Sequence, residues 1–370
     1  MGKNYFDKAI DSDLEHILST NNQNKKHTVL AVDDEENNLF LLKRTLRSNY
    51  NILSATSGEE ALELIKKHGD EISLIVSDQK MPKMEGTDLF KIIGETHPDI
   101  VKILLTGHSN MDILVDSINE CHLFQYILKP FEPEQLCMIV ESGIKKYELT
   151  DSRIQILKDL SELFYKTIKS IAYALDAKDK YTHGHSLRVT LYSLALAKKL
   201  NLSDELLEEI EIAGLLHDIG KIAIPEKILL KPGKLTEEEF NIIKTHPELG
   251  ERLVESIEKL KLISNWLKSH HEKYDGSGYP DGLTGEQIPI SARIIAIADT
   301  YDAMTSNRSY REAMSHQVAI SEIERCSGTQ FDPELAKIFV GICDEVEQLK
   351  KEPESSYEKY SYLYKMMNVI

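Results

Sequence analysis

Between residues 27 and 147 five short, almost wholly apolar runs alternate with amphipathic stretches, and no other feature of the chain narrows its fold as far. The runs are Val29-Leu30-Ala31-Val32, Asn51-Ile52-Leu53-Ser54-Ala55, Leu74-Ile75-Val76-Ser77, Val101-Lys102-Ile103-Leu104-Leu105 and Tyr126-Ile127-Leu128. A strand buried on both faces loses polar alternation, so these runs predict a parallel sheet with helices on either side. Ligands of such sheets bind beyond the carboxyl ends of the strands. There the sequence places Asp33-Asp34 after the first run, Asp78 after the third, Thr106 after the fourth and Lys129 after the fifth. Three carboxylates meeting at one edge repel one another unless a cation joins them. Asp33, Asp34 and Asp78 therefore imply a magnesium site with oxygen ligands, where Lys129 can neutralise an incoming phosphoryl group. Any one of these residues alone reads as a helix cap or turn; the constellation reverses that.

On this ordered set, residues 29 to about 147 resemble a response-regulator receiver domain. The resemblance implies an α/β doubly wound, five-stranded fold in which Asp78 accepts a phosphoryl group from a histidine kinase. It further implies that Asp33 and Asp34, with Asp78, hold magnesium and that Thr106 and Lys129 respond to the phosphoryl oxygens. Tyr126 fills the family's switch-aromatic position. We place this domain at 27–147, after an N-terminal segment, 1–26, with Phe6, Ile10, Leu14, Ile17 and Leu18 at helical spacing and then a flexible polar lead.

A chain of 370 residues has room for a second domain. A net charge of -17 argues against a nucleic-acid polymer as partner, since such binding rests on a basic footprint. A small anion remains compatible with a metal and a few local cations. No apolar run is long enough for a membrane span, and residues 1–7 lack a secretory apolar core, so a cytoplasmic location is expected. Cys121, Cys137, Cys326 and Cys343 show no paired spacing and read as reduced thiols.

Beyond Gly143 a long helical pattern carries Tyr147, Thr150, Ile154, Leu157, Phe164, Ile168, Ile171 and Leu175 at a repeat of about seven residues. We read residues 148–170 as a helical linker and a parallel homodimer seam, although a helix packed on its own domain needs the same stripe. From about 171 to 350 strand signals fade and helices follow, among them one begun by the capping box at Thr236 and Glu239. Six of the thirteen histidines fall between 183 and 271. His185 opens a helix, and His217-Asp218 closes another. Pro247 is expected to stop helix growth after His246. His270-His271 ends an apolar segment, and Asp299 follows Ile294-Ile295-Ala296-Ile297-Ala298. Imidazoles and carboxylates set against apolar residues need a cation or strong donors. Seven such N and O groups without thiolate suit iron, manganese, zinc or nickel rather than a closed structural zinc site.

The words His217-Asp218-Ile219-Gly220-Lys221, His270-His271-Glu272, Asp275-Gly276-Ser277-Gly278-Tyr279-Pro280, Asp299-Thr300-Tyr301-Asp302 and Arg308-Ser309-Tyr310-Arg311 together resemble the HD-GYP family, an all-α branch of the HD phosphohydrolases. The resemblance implies hydrolysis of cyclic di-GMP to pGpG, and onward to GMP as a further step. His185, His217, Asp218, His246, His270, His271 and Asp299 would then hold two metal ions, iron or manganese first and zinc or nickel next. Asp218 would bridge the ions, and Asp218 and Lys221 would take part in catalysis. Lys221, Gly278, Tyr279, Pro280, Arg308 and Arg311 would meet the substrate. Some members carry a Glu four residues before the position of His185, associated with a third metal; here that residue is Tyr181, so two ions are expected. The tail, 351–370, is polar and tyrosine-rich. The expectation is a phosphorylation-activated phosphodiesterase. The rival readings are a slow cyclic di-GMP sensor or interaction module, and a phosphodiesterase for another cyclic dinucleotide.

Overall fold

The computed structural model describes residues 26–107, 121–178, 184–307 and 312–363. The helix expected around Phe6 to Leu18 lies outside them, as do Tyr181, Arg308 and Arg311. The chain divides into two compact units, residues 1–157 and 158–370.

In the first unit the strands are β1 (Thr28–Val32), β2 (Asn51–Ala55), β3 (Ile72–Asp78), β4 (Val101–Thr106) and β5 (Gln125–Leu128). All pair in parallel, in the order β2-β1-β3-β4-β5. Side chains alternate between faces along each strand. Val29, Ala31, Val76 and Ile103 accordingly pack on one side with Leu39 and Leu42 of α1 (Glu36–Leu46) and with Leu136 and Val140 of α4 (Pro133–Lys178). Leu30, Val32, Ile75 and Leu104 pack on the other, with Ala61 and Ile65 of α2 (Gly58–His68) and Phe90 and Ile93 of α3 (Gly86–Thr96). Helices on both faces explain why the strands carry no polar period.

The second unit is helical: α5 (His185–Lys199), α6 (Asp204–Leu216), a 3-10 turn at Ile219–Ala223, α7 (Glu226–Leu229), α8 (Glu237–Ile243), α9 (His246–Val254), α10 (Lys261–Ser269), α11 (Ile290–Thr305), α12 (His316–Arg325), α13 (Pro333–Gly341), α14 (Cys343–Lys351) and α15 (Pro353–Tyr360). Helix α5 is buried from His185 to Ala197 apart from Arg188, with leucine, alanine and small polar residues on every side. The capping box at Thr236 and Glu239 starts α8 as expected. Pro247 does not stop a helix. It stands in the first turn of α9, where a missing N–H costs nothing because that group has no intrahelical acceptor.

The stripe expected along α4 divides. Tyr147 packs against the first unit's core, Phe164 and Ile168 belong with the second unit's core, and Leu175 is buried. Leu157 and Ile171 of the same stripe are exposed, as are Leu149, Ile156, Leu160 and Leu163. The described part of the tail is built in: Tyr357 and Leu363 join the helical core. There Glu211 of α6 accepts hydrogen bonds from the Tyr357 and Ser361 hydroxyls, both at 2.5 Å, and from the N–H groups of Tyr362 and Leu363 at 2.7 and 3.1 Å. None of the four cysteines, all among the described residues, forms a disulfide. Among the described residues no helix is long and apolar enough to cross a membrane.

Candidate metal centre

A helix ends with carbonyls that have no intrahelical donor. Three histidines use that fact. His217 follows α6 and donates from Nδ1 to the Gly214 carbonyl at 2.8 Å. His246 follows the end of α8 and donates to Ile243 at 2.8 Å, and His270 caps α10 and donates to Leu267 at 2.6 Å. Each ring is thereby fixed in the tautomer that leaves the Nε2 lone pair free. His185 is oriented by a distant partner: its Nδ1 lies 2.8 Å from Asp302 Oδ2 on α11. Arg188, one turn along α5, grips Asp302 with Nε at 2.6 Å and Nη2 at 2.9 Å.

The free Nε2 atoms converge on Asp218. Its Oδ1 lies 3.2 Å from His246 Nε2, while its Oδ2 lies 3.3 Å from His217 Nε2 and 3.7 Å from His185 Nε2. Two sets of side chains could each hold one ion, Asp218 with His246, His270 and His271, and Asp218 with His185 and His217. The seventh expected ligand, Asp299, places Oδ1 3.3 Å from His185 Nε2. Lys221 Nζ stands 2.5 Å from Asp218 Oδ2.

Two details fit a divalent ion. His246 Nε2 and His270 Nε2 face each other at 3.4 Å, and in the neutral rings both atoms are lone pairs, so a cation between them relieves a repulsion. His217 Nε2 is buried and, although near Asp218, makes no hydrogen bond. A buried imidazole nitrogen without a partner costs free energy that a metal bond would return.

The electrostatics separate the two sets. Burial, with the His246 imidazole beside it, pushes His271 down to about 3, and burial with the neighbouring imidazoles drives His270 well below the usual range. Both are neutral donors at neutral pH. Burial also disfavours the charged form of His185, but hydrogen bonds to Asp299 and Asp302 outweigh it and raise the ring to about 10. Asp218 and Asp299 are buried, which favours their protonated forms. Lys221 and His217 around Asp218, and His185 against Asp299, nevertheless hold both carboxyls down as carboxylates.

Gly220 explains the spacing within His217-Asp218-Ile219-Gly220-Lys221. A Cβ there would sit 1.9 Å from the His246 carbonyl oxygen, so the turn that carries Asp218 lies directly on the start of α9. Only a glycine lets Asp218 and His246 approach. Gly278 plays the same part in the next loop, where a Cβ would meet Lys273 N at 2.3 Å. That close approach lays the Tyr279 ring beside His271, with centroids 5.0 Å apart. Pro280 follows through a cis bond. Glu272 holds the loop, accepting from the N–H groups of Asp281, Gly282 and Leu283 at 2.7 to 3.1 Å. Asp302, Arg188 and Glu272 are functional supports that the motif words contain or pass by without revealing their task. Only the pairing across the fold exposes it.

The first unit gathers a different site at the carboxyl edge of its sheet. Asp33 is fully buried, with Oδ1 accepting from the Glu35 N–H and the Asn38 amide. Lys129 bridges Asp33 at 2.9 Å and Asp78 at 2.5 Å. Burial opposes its charge, yet the hydrogen bonds to Asp78 and Asp33 raise its basicity. Asp34 is exposed, Thr106 is buried at the end of β4, and Tyr126 is partly buried on β5.

Comparisons with known proteins bear on both units. Residues 29–141 match the family model of the response regulator receiver domain, and residues 154–335 match that of the HD domain. A cyclic di-GMP phosphodiesterase of Thermotoga maritima is 32% identical over 340 residues, which cover 86% of this chain and 91% of the relative. The cyclic di-GMP phosphodiesterase response regulator RpfG of Xanthomonas campestris is 31% identical over 337 residues, covering 87% and 89%. A 3'3'-cGAMP-specific phosphodiesterase 2 of Vibrio cholerae is 37% identical over 199 residues, covering 53% of this chain and 38% of the relative. The chain belongs to the HD-GYP response regulators, in which a receiver domain is joined to an HD domain.

Proposed function

We propose that the chain is a metal-dependent cyclic-dinucleotide phosphodiesterase that hydrolyses cyclic di-GMP to pGpG, with GMP as a further product, under the control of phosphorylation at Asp78. The observation that carries this reading is Asp218, whose two carboxylate oxygens face separate groups of buried imidazoles. His185, His217 and Asp299 would hold one divalent ion, His246, His270 and His271 the other, and Asp218 both. When bound, the ions supply a hydroxide nucleophile at neutral pH and neutralise the charge that builds on the phosphate. Lys221, beside Asp218, is placed to meet a phosphate oxygen, where a fixed cation helps most at the transition state. Tyr279 and the Gly278–Pro280 turn wall the pocket beside His271. Arg308 and Arg311 complete the expected phosphate contacts. Iron and manganese suit this nitrogen-rich, thiolate-free set, with zinc or nickel able to take the same ligands.

The receiver implies a histidine kinase as partner. The exposed residues Leu149, Ile156 and Leu163 recur every seven positions, with Leu160 four after Ile156, the spacing of a two-stranded coiled-coil seam. We assign this face, rather than the whole stripe read from the sequence, to a parallel homodimer. Sedimentation of a Leu160→Asp variant should show monomer where the parent shows dimer, and a monomeric parent would remove the assignment.

The deciding experiment is cyclic di-GMP turnover by protein purified without oxygen and loaded separately with ferrous iron and manganese, beside a His217→Ala/Asp218→Ala control. Formation of pGpG that vanishes in the control is the expected result. Tight binding without turnover under every metal would make the chain a sensor. The Vibrio relative, a 3'3'-cGAMP-specific phosphodiesterase, supports a second substrate reading, 3'3'-cGAMP. Parallel assays with both nucleotides separate the two. Metal analysis should find two ions per chain, since Tyr181 offers no third carboxylate.

A further inference from the structure

The last turn of α4 touches two of the segments that carry the assigned ligands, and the ligands themselves account for neither contact. Asp176 is buried, and its Oδ1 accepts the Ser186 hydroxyl at 2.8 Å while its Oδ2 faces the Ser186 N–H at 3.4 Å. Ser186 is the neighbour of His185 and lies in the first turn of α5, where N–H groups have no helical acceptor. Two residues beyond Asp176, Lys178 directs its ammonium at three carbonyls of the turn after Asp218: Lys221 at 3.2 Å, Ile222 at 2.7 Å and Ile224 at 3.1 Å. These carbonyls lie at the end of a 3-10 turn, and the half-buried lysine gathers them with one charge.

We propose that Asp176 and Lys178 are positioning residues, a clamp at the end of α4 that sets His185 on one side and the Asp218–Lys221 turn on the other. Asp176 fixes where α5 begins and so where the His185 ring stands before Asp302 and Arg188 orient it. Lys178 holds the turn that also lies, at Gly220, against the His246 carbonyl. Released from Lys178, that turn would lose the charge that gathers three of its carbonyls, and Asp218 would be held less firmly between the imidazole groups. Because α4 begins at Pro133 in the first unit, a change at that end has a covalent route to both ligand segments. This inference deepens the proposed function, and its test needs no turnover.

The test is manganese affinity of the full-length protein, measured by chelator competition. The Lys178→Met variant should bind Mn2+ roughly 10- to 100-fold more weakly, the usual effect of removing a residue that supports metal ligands. Lys178→Arg, which keeps a cation over the carbonyls, should recover most of the loss. A lysine with a merely structural part would lower the melting temperature and leave the affinity of the folded protein unchanged, and that result overturns the proposal. If Lys178→Met does not fold, Ser186→Ala removes the other arm with a smaller cut. It should weaken Mn2+ binding in the same direction, and an unchanged affinity there also overturns the proposal. Parent protein that binds Mn2+ but leaves cyclic di-GMP intact would refute the substrate assignment and leave this measurement readable.

Discussion

The two units solve the problem of gathering negative charge in opposite ways. At the sheet edge the acidic residues come from strand ends, and the structure balances them internally: Lys129 spans Asp33 and Asp78, and one face of the site is open through Asp34. In the helical unit the carboxylates are ringed by imidazoles whose Nδ1 atoms are committed to carbonyls or to Asp302, and the Nε2 atoms point inward. Oxygen ligands beside a lysine suit a weakly held hard cation and a phosphoryl group that comes and goes. Locked imidazoles suit a resident ion. A switch and a catalytic centre thus differ in how firmly the apo protein has already set its ligands.

The sharpest way to break this contrast is Asp218→Ala, which removes an oxygen from each ion position at once. Bound metal should fall well below two ions per chain and cyclic di-GMP turnover by roughly a thousandfold or more, since several kcal/mol of transition-state stabilisation depends on the ions. Near-normal metal content would show that the imidazoles suffice alone. Asp302→Asn is the next largest: it keeps the shape but weakens the hold on His185 and Arg188, and metal affinity or kcat should drop about 10- to 100-fold with little change in KM. Asp78→Asn should act on the other side of the comparison. It should abolish any rise in activity with acetyl phosphate and leave basal turnover within about twofold, since Asp78 contributes no ligand to the helical unit's centre. Activation that survives the substitution would end the idea that Asp78 is the switch.

The smallest effect concerns pH and lies outside both sites. Burial outweighs the four donors to Glu211 and raises its carboxyl above the usual glutamate range. A group raised on folding adds stability below its unfolded pKa and loses it as pH climbs through the folded one. Melting temperature followed upward from pH 4 should therefore carry a declining contribution that Glu211→Gln lacks, whatever the variant's absolute stability. Identical slopes in the two proteins would refute it.

Much of this was legible in the residues because it is local. Apolar runs gave the parallel strands, and polar residues at their ends gave the Asp33, Asp78 and Lys129 cluster. His217 and His270 could be placed at helix ends because the carbonyl that fixes each ring is three residues back. Pro247 misled for an equally local reason: a proline that cannot continue one helix is well suited to begin the next, and the sequence does not say which applies. What escaped was long-range. His185 depends on Asp302 across 117 residues, and Glu211 waits for donors about 150 residues later. No periodicity announces such pairs. The seam along α4 was read as one stripe because Tyr147 serves one core and Phe164 and Ile168 the other, with exposed Leu157 and Ile171 at nearly the same spacing.

The Glu211 cluster also bears on how the protein comes into being. Helix α6, whose cap is His217, buries a carboxylate whose four donors all come from residues 357 to 363. Until those residues leave the ribosome, α6 can pack only by burying a charge with nothing to answer it, or by taking up a proton. A nascent chain halted short of Tyr357 therefore has every assigned metal ligand and no settled place for the helix that leads into His217 and Asp218. Emergence of residues 357–363, rather than of the last ligand, is the event that settles that helix.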